Sequence, residues 1–295
     1  MTDINIVSPA KINLTLEVGD VRPDGFHNID SITQTIGITD QLNLSIAPEG
    51  HINVFCDFSG VPQGKDNIVF KACVVFFAYV GIRGGVNCEI IKTIPPESGL
   101  GGGSSNAAFT IMGLNKLFGC NLDDEKLIEI AASVGSDVPL FISSGTTRMQ
   151  GRGEVITALP DAPELNLVVI RPSVGVSTAW AYSELDRVGR GVQWSTTSFC
   201  VDAINESNKV RMIKSMWNDF DLVVPQALES IQKCKDELEY YGASKAMLSG
   251  SGSCVFGVFN DAETADYVAD QMSLKYTWVY ATRTITRSEC MSFVG

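Results

Sequence analysis

Hydrophobic and polar residues alternate strictly from Ala10 to Val18, with Ile12, Leu14, Leu16 and Val18 on one side and Lys11, Asn13, Thr15 and Glu17 on the other. That period of two predicts a half-buried strand presenting Lys11 and Asn13 on its polar face. Arg22-Pro-Asp-Gly25 is a turn signal, and further strands are predicted at Gln41–Ile46, His51–Phe55 and Val86–Ile91. Between them, Asn67–Val80 reads as a buried helix despite its β-branched residues. Ala107, Ala108, Ile111, Met112, Leu114 and Phe118 recur at helical spacing up to Gly119. Leu122–Val134 predicts another helix, with Asp123, Asp124 and Glu125 in its first turn and Gly135 as a stop.

In the second half, strands are predicted at Leu165–Ile170, Cys254–Phe259 and Thr277–Ile285. Leu228, Ile231, Cys234, Leu238 and Tyr241 share a helical face, and Asp261–Met272 forms a further segment. Turn-rich residues from Gly151 to Pro163 place a domain boundary near 160, giving units 1–160 and 161–295. The polar stretch from Leu185 to Met216 matches no motif, and no repeat of 20–50 residues is present.

Composition narrows the class. The 295 residues are 45% hydrophobic and 19% charged, ordinary values for a globular chain. Lys and Arg number 22 against 34 Asp and Glu, a formal charge of −12. Such a surface repels phosphate backbones and anionic lipid, so nucleic-acid and membrane-surface binding are disfavoured. A local array of N–H groups and one or two cations still suffices for a small anion. The eight cysteines are scattered without a C-x-x-C pair, and only His27 and His51 stand beside them, which argues against a zinc site. With no apolar run of spanning length and no basic, then apolar, start, a cytoplasmic protein with reduced thiols is expected.

Candidate chemistry centres on Gly99-Leu-Gly-Gly-Gly-Ser-Ser105, which runs directly into the helix at Ala107. Glycines admit a ligand close to the backbone, and a helix start offers N–H groups and a positive dipole end to an anion. The alternative is a flexible helix entry. The loop is not a Walker A motif, and Ser104 stands where a dinucleotide fingerprint needs its third glycine. Asp137, just past a helix and two residues before Pro139, is either an N-cap or a carboxylate able to accept a substrate proton. Lys11 is either solvated or functional. Ser249-Gly-Ser-Gly-Ser253 is either a hairpin turn or a second glycine segment closing over a site. Phe26 and Tyr182 read more readily as packing aromatics than as ligand platforms, and His27 equally as a satisfied structural histidine.

Three stretches in this order, Ser8-Pro-Ala-Lys-Ile-Asn-Leu14, Pro95–Ala108 and Met247-Leu-Ser-Gly-Ser-Gly-Ser253, resemble the motifs of the GHMP kinase family over almost the whole chain. Arg22-Pro-Asp-Gly-Phe-His27, Gly135-Ser-Asp-Val-Pro139 and Asn218-Asp-Phe-Asp221 point to a branch acting on a cytidine diphosphate derivative. The resemblance implies an α+β, two-domain fold, its N-terminal half like the second domain of ribosomal protein S5 and its C-terminal half ferredoxin-like. It implies transfer of the ATP γ-phosphoryl group to an acceptor hydroxyl, Mg2+ bound with ATP, no metal held by protein ligands, and a monomer or homodimer.

Carried over by position, Lys11 and Asp137 match the catalytic pair. Pro95, Pro96, Glu97, Ser98, Gly99, Leu100, Gly101, Gly102, Gly103, Ser104 and Ser105 match the phosphate loop, and Asn67 and Lys92 the nucleoside end of ATP. On the acceptor side, Phe26 and Tyr182 match aromatic residues sandwiching cytosine, His27 a residue reading its edge, and Asn13 and Thr178 polar contacts. Two positions depart from the pattern: Phe26 lacks the hydroxyl of the family's usual tyrosine, and Glu97 repels a triphosphate unless it points to solvent.

Overall fold

The computed structural model describes residues 2–188 and 195–294. Its first strand exceeds the alternating stretch at both ends: β1 (Asp3–Val21) pairs antiparallel with the equally long β2 (His27–Ile46). Every residue of β1 from Ser8 to Leu16 is buried. The polar face of this strand is therefore covered rather than solvated, and Lys11 and Asn13 are 7% and 4% exposed.

Around this pair stand β3 (Ile52–Cys56), β4 (Val86–Ile91), β5 (Thr146–Gly151), β6 (Val155–Ala158) and, in the second half of the chain, β7 (Asn166–Ile170) and the short β8 (Trp217–Asn218). The first sheet has seven strands in the order β3-β4-β2-β1-β8, with the β5–β6 hairpin attached to β2 at Ile29–Gln34. Four helices cover one face: α1 (Ile68–Val80), α2 (Gly102–Leu117), α3 (Asp124–Val134) and α4 (Val138–Ser143). Helix α1 forms despite its β-branched residues because Asn67 caps its start, accepting from Val69 N, and Gly81 ends it in the left-handed region. Its Phe76 packs with Phe109, Phe141 and strand residues Ile6, Leu42 and Leu44 in one core. Each such apolar side chain contributes about 1.5–3 kcal/mol on burial.

The second half adds α5 (Thr178–Val188), α6 (Thr196–Asn205), α7 (Lys209–Ser215), α8 (Val224–Ala227), α9 (Glu229–Tyr240), β9 (Lys245–Leu248), β10 (Val255–Phe259), α10 (Ala262–Ser273), β11 (Val279–Arg283) and α11 (Arg287–Ser292). Its sheet is antiparallel in the order β11-β7-β10-β9, which places the first strand between the last and the third, as in a ferredoxin-like unit. The apolar run of β7 is buried on both sides: Val168 and Ile170 face a core with α9 and α10, Leu167 and Val169 another shared with Ile12, Leu14 and Ile36 of the first sheet. That shared core fixes the two sheets together. The chain then returns to its first half, where Gln34 Nε2 donates to Ile285 O at 2.8 Å and Cys290 of α11 joins the first core. Among the described residues, no helix is long and apolar enough to cross a membrane.

Candidate active site

The glycine segment is built by close approach. Pro95 and Pro96 end the run from β4, and Ser98 Oγ donates to Pro95 O at 2.7 Å. Gly99 has φ +79°, and a Cβ there would lie 1.9 Å from the carbonyl oxygen of Ser249, so no other residue fits. Gly101, at φ +73°, is the N-cap of α2. Gly102, Gly103 and Ser104 of its first turn line a cavity of about 930 Å³. A helix start leaves N–H groups without helical partners and points its positive end at that space.

Lys11 lies beneath the loop. Its backbone N–H donates to Leu100 O at 3.0 Å, while Nζ donates to Gly99 O and to Asn13 Oδ1, both at 2.6 Å. Burial pushes its amine from the ordinary 10.5 down to about 8, and the nearby Asp137 carboxylate opposes that fall. Asn13 is held in turn, because its Nδ2 donates to Ser31 Oγ at 2.8 Å. Both residues line the cavity.

Asp137 occupies the N-cap position of α4, but its side chain caps no N–H of that helix. Its carboxylate instead lines the cavity, with Ser136 Oγ at 3.4 Å. Gly153 stands against it: a Cβ at that glycine would lie 3.8 Å from Asp137 Oδ1. The two readings of this aspartate are thus separated by geometry, and the capping role falls away.

Ser249–Ser253 connects β9 to β10 and also closes over the first loop. Ser249 Oγ donates to Gly99 O at 2.9 Å, and Cys254 N donates to Ser98 O at 3.1 Å. Asn218 fixes this segment from behind, its Nδ2 donating to Leu248 O at 3.0 Å and to Gly250 O at 2.8 Å. Asp221 accepts from Lys235 Nζ at 2.6 Å; burial pushes its carboxyl up, against the pull of that lysine. Cys254 is buried, which pushes its thiol far up and leaves it inert.

The cavity is lined further by Phe26, Tyr182, Thr178, Ser251 and Arg152. Phe26 is 56% exposed, with the Arg152 guanidinium carbon 5.3 Å from its ring centroid. Tyr182 stacks on His27 at 4.9 Å and meets Phe220 edge-on. Thr178 Oγ1 and Ser251 Oγ are 3.0 Å apart. His27 lies behind Tyr182, with Nδ1 3.0 Å from Gly19 O and Nε2 3.3 Å from Asp186 Oδ2. One cavity thus joins a helix-start anion site, a lysine–aspartate pair and aromatic residues.

Two family models match this chain: GHMP kinases N terminal domain over residues 67–145, and GHMP kinases C terminal over residues 202–277. The chain belongs to the GHMP kinase family. Among curated relatives of this kinase, a protein of Acetivibrio thermocellus is 37% identical over 97% of the chain and 100% of its own length, and one of Geobacter metallireducens 35% identical over 94% and 97%. Both are named 4-diphosphocytidyl-2-C-methyl-D-erythritol kinase. A solved 4-(cytidine 5'-diphospho)-2C-methyl-D-erythritol kinase superposes with a TM-score of 0.81 at 25% identity, covering 95% of this chain and 99% of that one. A homoserine kinase of Cytophaga hutchinsonii shares the fold, with a TM-score of 0.74 at 16% identity over 97% of this chain and 95% of that one.

Not every residue carried over from the family reaches the cavity of this GHMP kinase. Asn67 is 4% exposed and committed on both sides, Oδ1 accepting from Val69 N and Nδ2 donating to Pro62 O. Lys92 lies under Gly102, its Nζ 2.5 Å from Asp40 Oδ2 and 3.1 Å from Asn106 Oδ1. Neither lines the cavity, and His27 and the fully buried Leu100 and Ser105 do not either. Glu97 lines it but is exposed, at φ +52°. Arg152 and Asn218 were not singled out from the sequence. Asn218 stands in a quoted motif with no individual role, and Arg152 in a glycine-flanked turn that carries no local signal of a ligand.

Proposed function

We propose that this chain is a 4-diphosphocytidyl-2-C-methyl-D-erythritol kinase, transferring the γ-phosphoryl group of ATP to the 2-hydroxyl of that acceptor in the non-mevalonate route to isoprenoid precursors. The observation that carries the reading is the convergence of the glycine loop, Lys11, Asp137, Phe26 and Tyr182 on one cavity. Near-full-length relatives bearing that name support the choice of acceptor.

The first turn of α2 binds the phosphates of ATP through backbone N–H groups and the helix dipole. Asp137 accepts the proton of the acceptor hydroxyl as its oxygen bonds to the γ-phosphorus and the bond to ADP breaks. The ammonium of Lys11, fixed by Gly99 O and Asn13, offsets charge at the reacting oxygen. Phe26 and Tyr182 offer ring faces to the cytosine. Mg2+ supplied with ATP would screen its phosphates. In the first turn of α2, Ser104 lines the cavity where such a cation and the phosphates would sit, while the Ser105 hydroxyl next to it is buried off the cavity without a hydrogen-bond partner.

The test is ADP release with ATP, Mg2+ and the cytidyl acceptor, run beside homoserine, mevalonate and galactose. Release only with the cytidyl acceptor is expected, and Asp137→Ala should lower turnover at least ~1000-fold with the fold intact. Release with another acceptor overturns the substrate while keeping the family. Full turnover by the variant removes Asp137 from the mechanism.

A further inference from the structure

The cavity lining has few charges. Its anions are Glu97 and Asp137, and its cations, among the described residues, are Lys11 and Arg152. Lys11 is committed to Gly99 O, Asn13 and the neighbouring Asp137. Arg152 is held more loosely, with Nε 3.8 Å from Glu154 Oε1 across side chains 45% and 40% exposed.

Its placement is nonetheless fixed. Gly151 and Gly153 on either side have φ +72° and +109°, and the Arg152 backbone N–H donates to the Glu154 carboxylate. This turn presses against the reacting end, since Gly153 packs beside Asp137 Oδ1. The guanidinium itself lies over the face of Phe26. Arg152 therefore spans the distance between the residues assigned to the base and the carboxylate assigned to the hydroxyl. In an acceptor that joins a nucleoside to a polyol, that middle stretch is the diphosphate.

We propose that Arg152 binds the diphosphate of the acceptor and makes this kinase select a diphosphate-bearing alcohol over an uncharged one; the proposal rests on the acceptor reading above. A guanidinium presents paired N–H donors that match phosphate oxygens, which an ammonium does not reproduce. Seating on Phe26 holds the guanidinium over the cavity before the acceptor arrives, and a ring face does this without a phenolic hydroxyl. The phenylalanine at 26 is thus sufficient for both neighbours, cation and base. The protein's net charge of −12 makes such a local cation the more necessary for an anionic acceptor.

Arg152→Gln and Arg152→Lys in the full chain test this. For Arg152→Gln, the KM of the cytidyl acceptor should rise about 10- to 100-fold, the span of one or two charge-assisted hydrogen bonds, with kcat within about threefold. The KM for ATP should not move, and Arg152→Lys should recover part of the loss. Calorimetry with CDP and with cytidine supplies a readout without turnover: the wild-type protein should prefer CDP, and Arg152→Gln should lose that preference. An unchanged acceptor KM with an unchanged CDP preference overturns the proposal and leaves the kinase reading standing. A rise in the KM for ATP instead reassigns Arg152 to the donor and also overturns it. Wild-type protein that neither turns over the cytidyl acceptor nor prefers CDP overturns the acceptor reading itself.

Discussion

Raising the pH should switch this enzyme off through Lys11 while relieving a strain on its fold. The amine sits 7% exposed under the glycine loop, and burial lowers it from 10.5 to about 8. At ~1.36 kcal/mol per pH unit, holding the charged form in the fold costs about 3 kcal/mol relative to the unfolded chain. Because the folded value is the lower one, the unfolded chain binds more protons between pH 8 and 10.5. The deficit is fully present below pH 8 and disappears as pH rises through that window. Activity should run the other way, since the proposed mechanism uses the ammonium. The protonated fraction falls from roughly nine-tenths at pH 7 to roughly one-tenth at pH 9, so kcat/KM for ATP should drop about tenfold between them. Asp137→Asn removes the opposing carboxylate and should lower the Lys11 midpoint further, followed by carbon NMR of the lysine ε-methylenes because that variant turns over poorly. A flat kcat/KM up to pH 9.5, or a Lys11 resonance titrating above 10, would refute the reasoning.

Three substitutions probe the supports of the site. Gly99→Ala puts a Cβ 1.9 Å from Ser249 O at φ +79°; it should lower stability by about 2 kcal/mol or more and abolish ATP binding, read by thermal unfolding and nucleotide titration. Asp40→Ala removes an acceptor that is 0% exposed and takes bonds from Lys92 Nζ, Asn106 Nδ2, Thr93 N and Ile94 N. It should cost about 3–5 kcal/mol in urea unfolding, and adding Lys92→Met should return part of that loss, because the buried ammonium is then gone. Asn218→Ala withdraws both bonds to the Ser249–Ser253 segment and the cap on Phe220 N. About 2–4 kcal/mol of stability should go with them, together with a raised KM for ATP and a smaller change in kcat.

Much of the fold was legible where one residue carries its own local signal. The apolar stretch after Asn67, the acidic first turn after Asp123 and the apolar run of β7 each fix their element within a few positions. The first part of β2 was not read, and its burial explains why. Ser31, Thr33, Gln34 and Thr35 are all buried there, so no apolar–polar contrast marks the strand. Ser31 bonds to Thr15 and Asn13 of β1, and the bonds of Thr33, Gln34 and Thr35 run to Thr147, Thr146 and Ile285, more than 100 residues away in sequence. A pattern that depends on such partners is invisible to any window along the chain.

The site divides along the same line. A glycine that needs positive φ announces itself by type, so Gly99–Ser105 and Ser249–Ser253 could be singled out from composition alone. Lys11, Asn67 and Lys92 could not be told apart that way, because each is a polar residue whose side chain is covered. Tertiary partners decide between them: Lys92 faces Asp40 and Asn67 caps a helix, so both are consumed by the fold. Lys11 is buried too, yet its partners are a loop carbonyl and an amide, and it keeps a carboxylate nearby without a contact ion pair to it. A lysine buried without full charge compensation has a lowered pKa and a charge available to a reaction, whereas a lysine neutralised by its own aspartate is structural. That contrast, more than the identity of either lysine, separates Lys11 from Lys92 and supports the role proposed for Lys11.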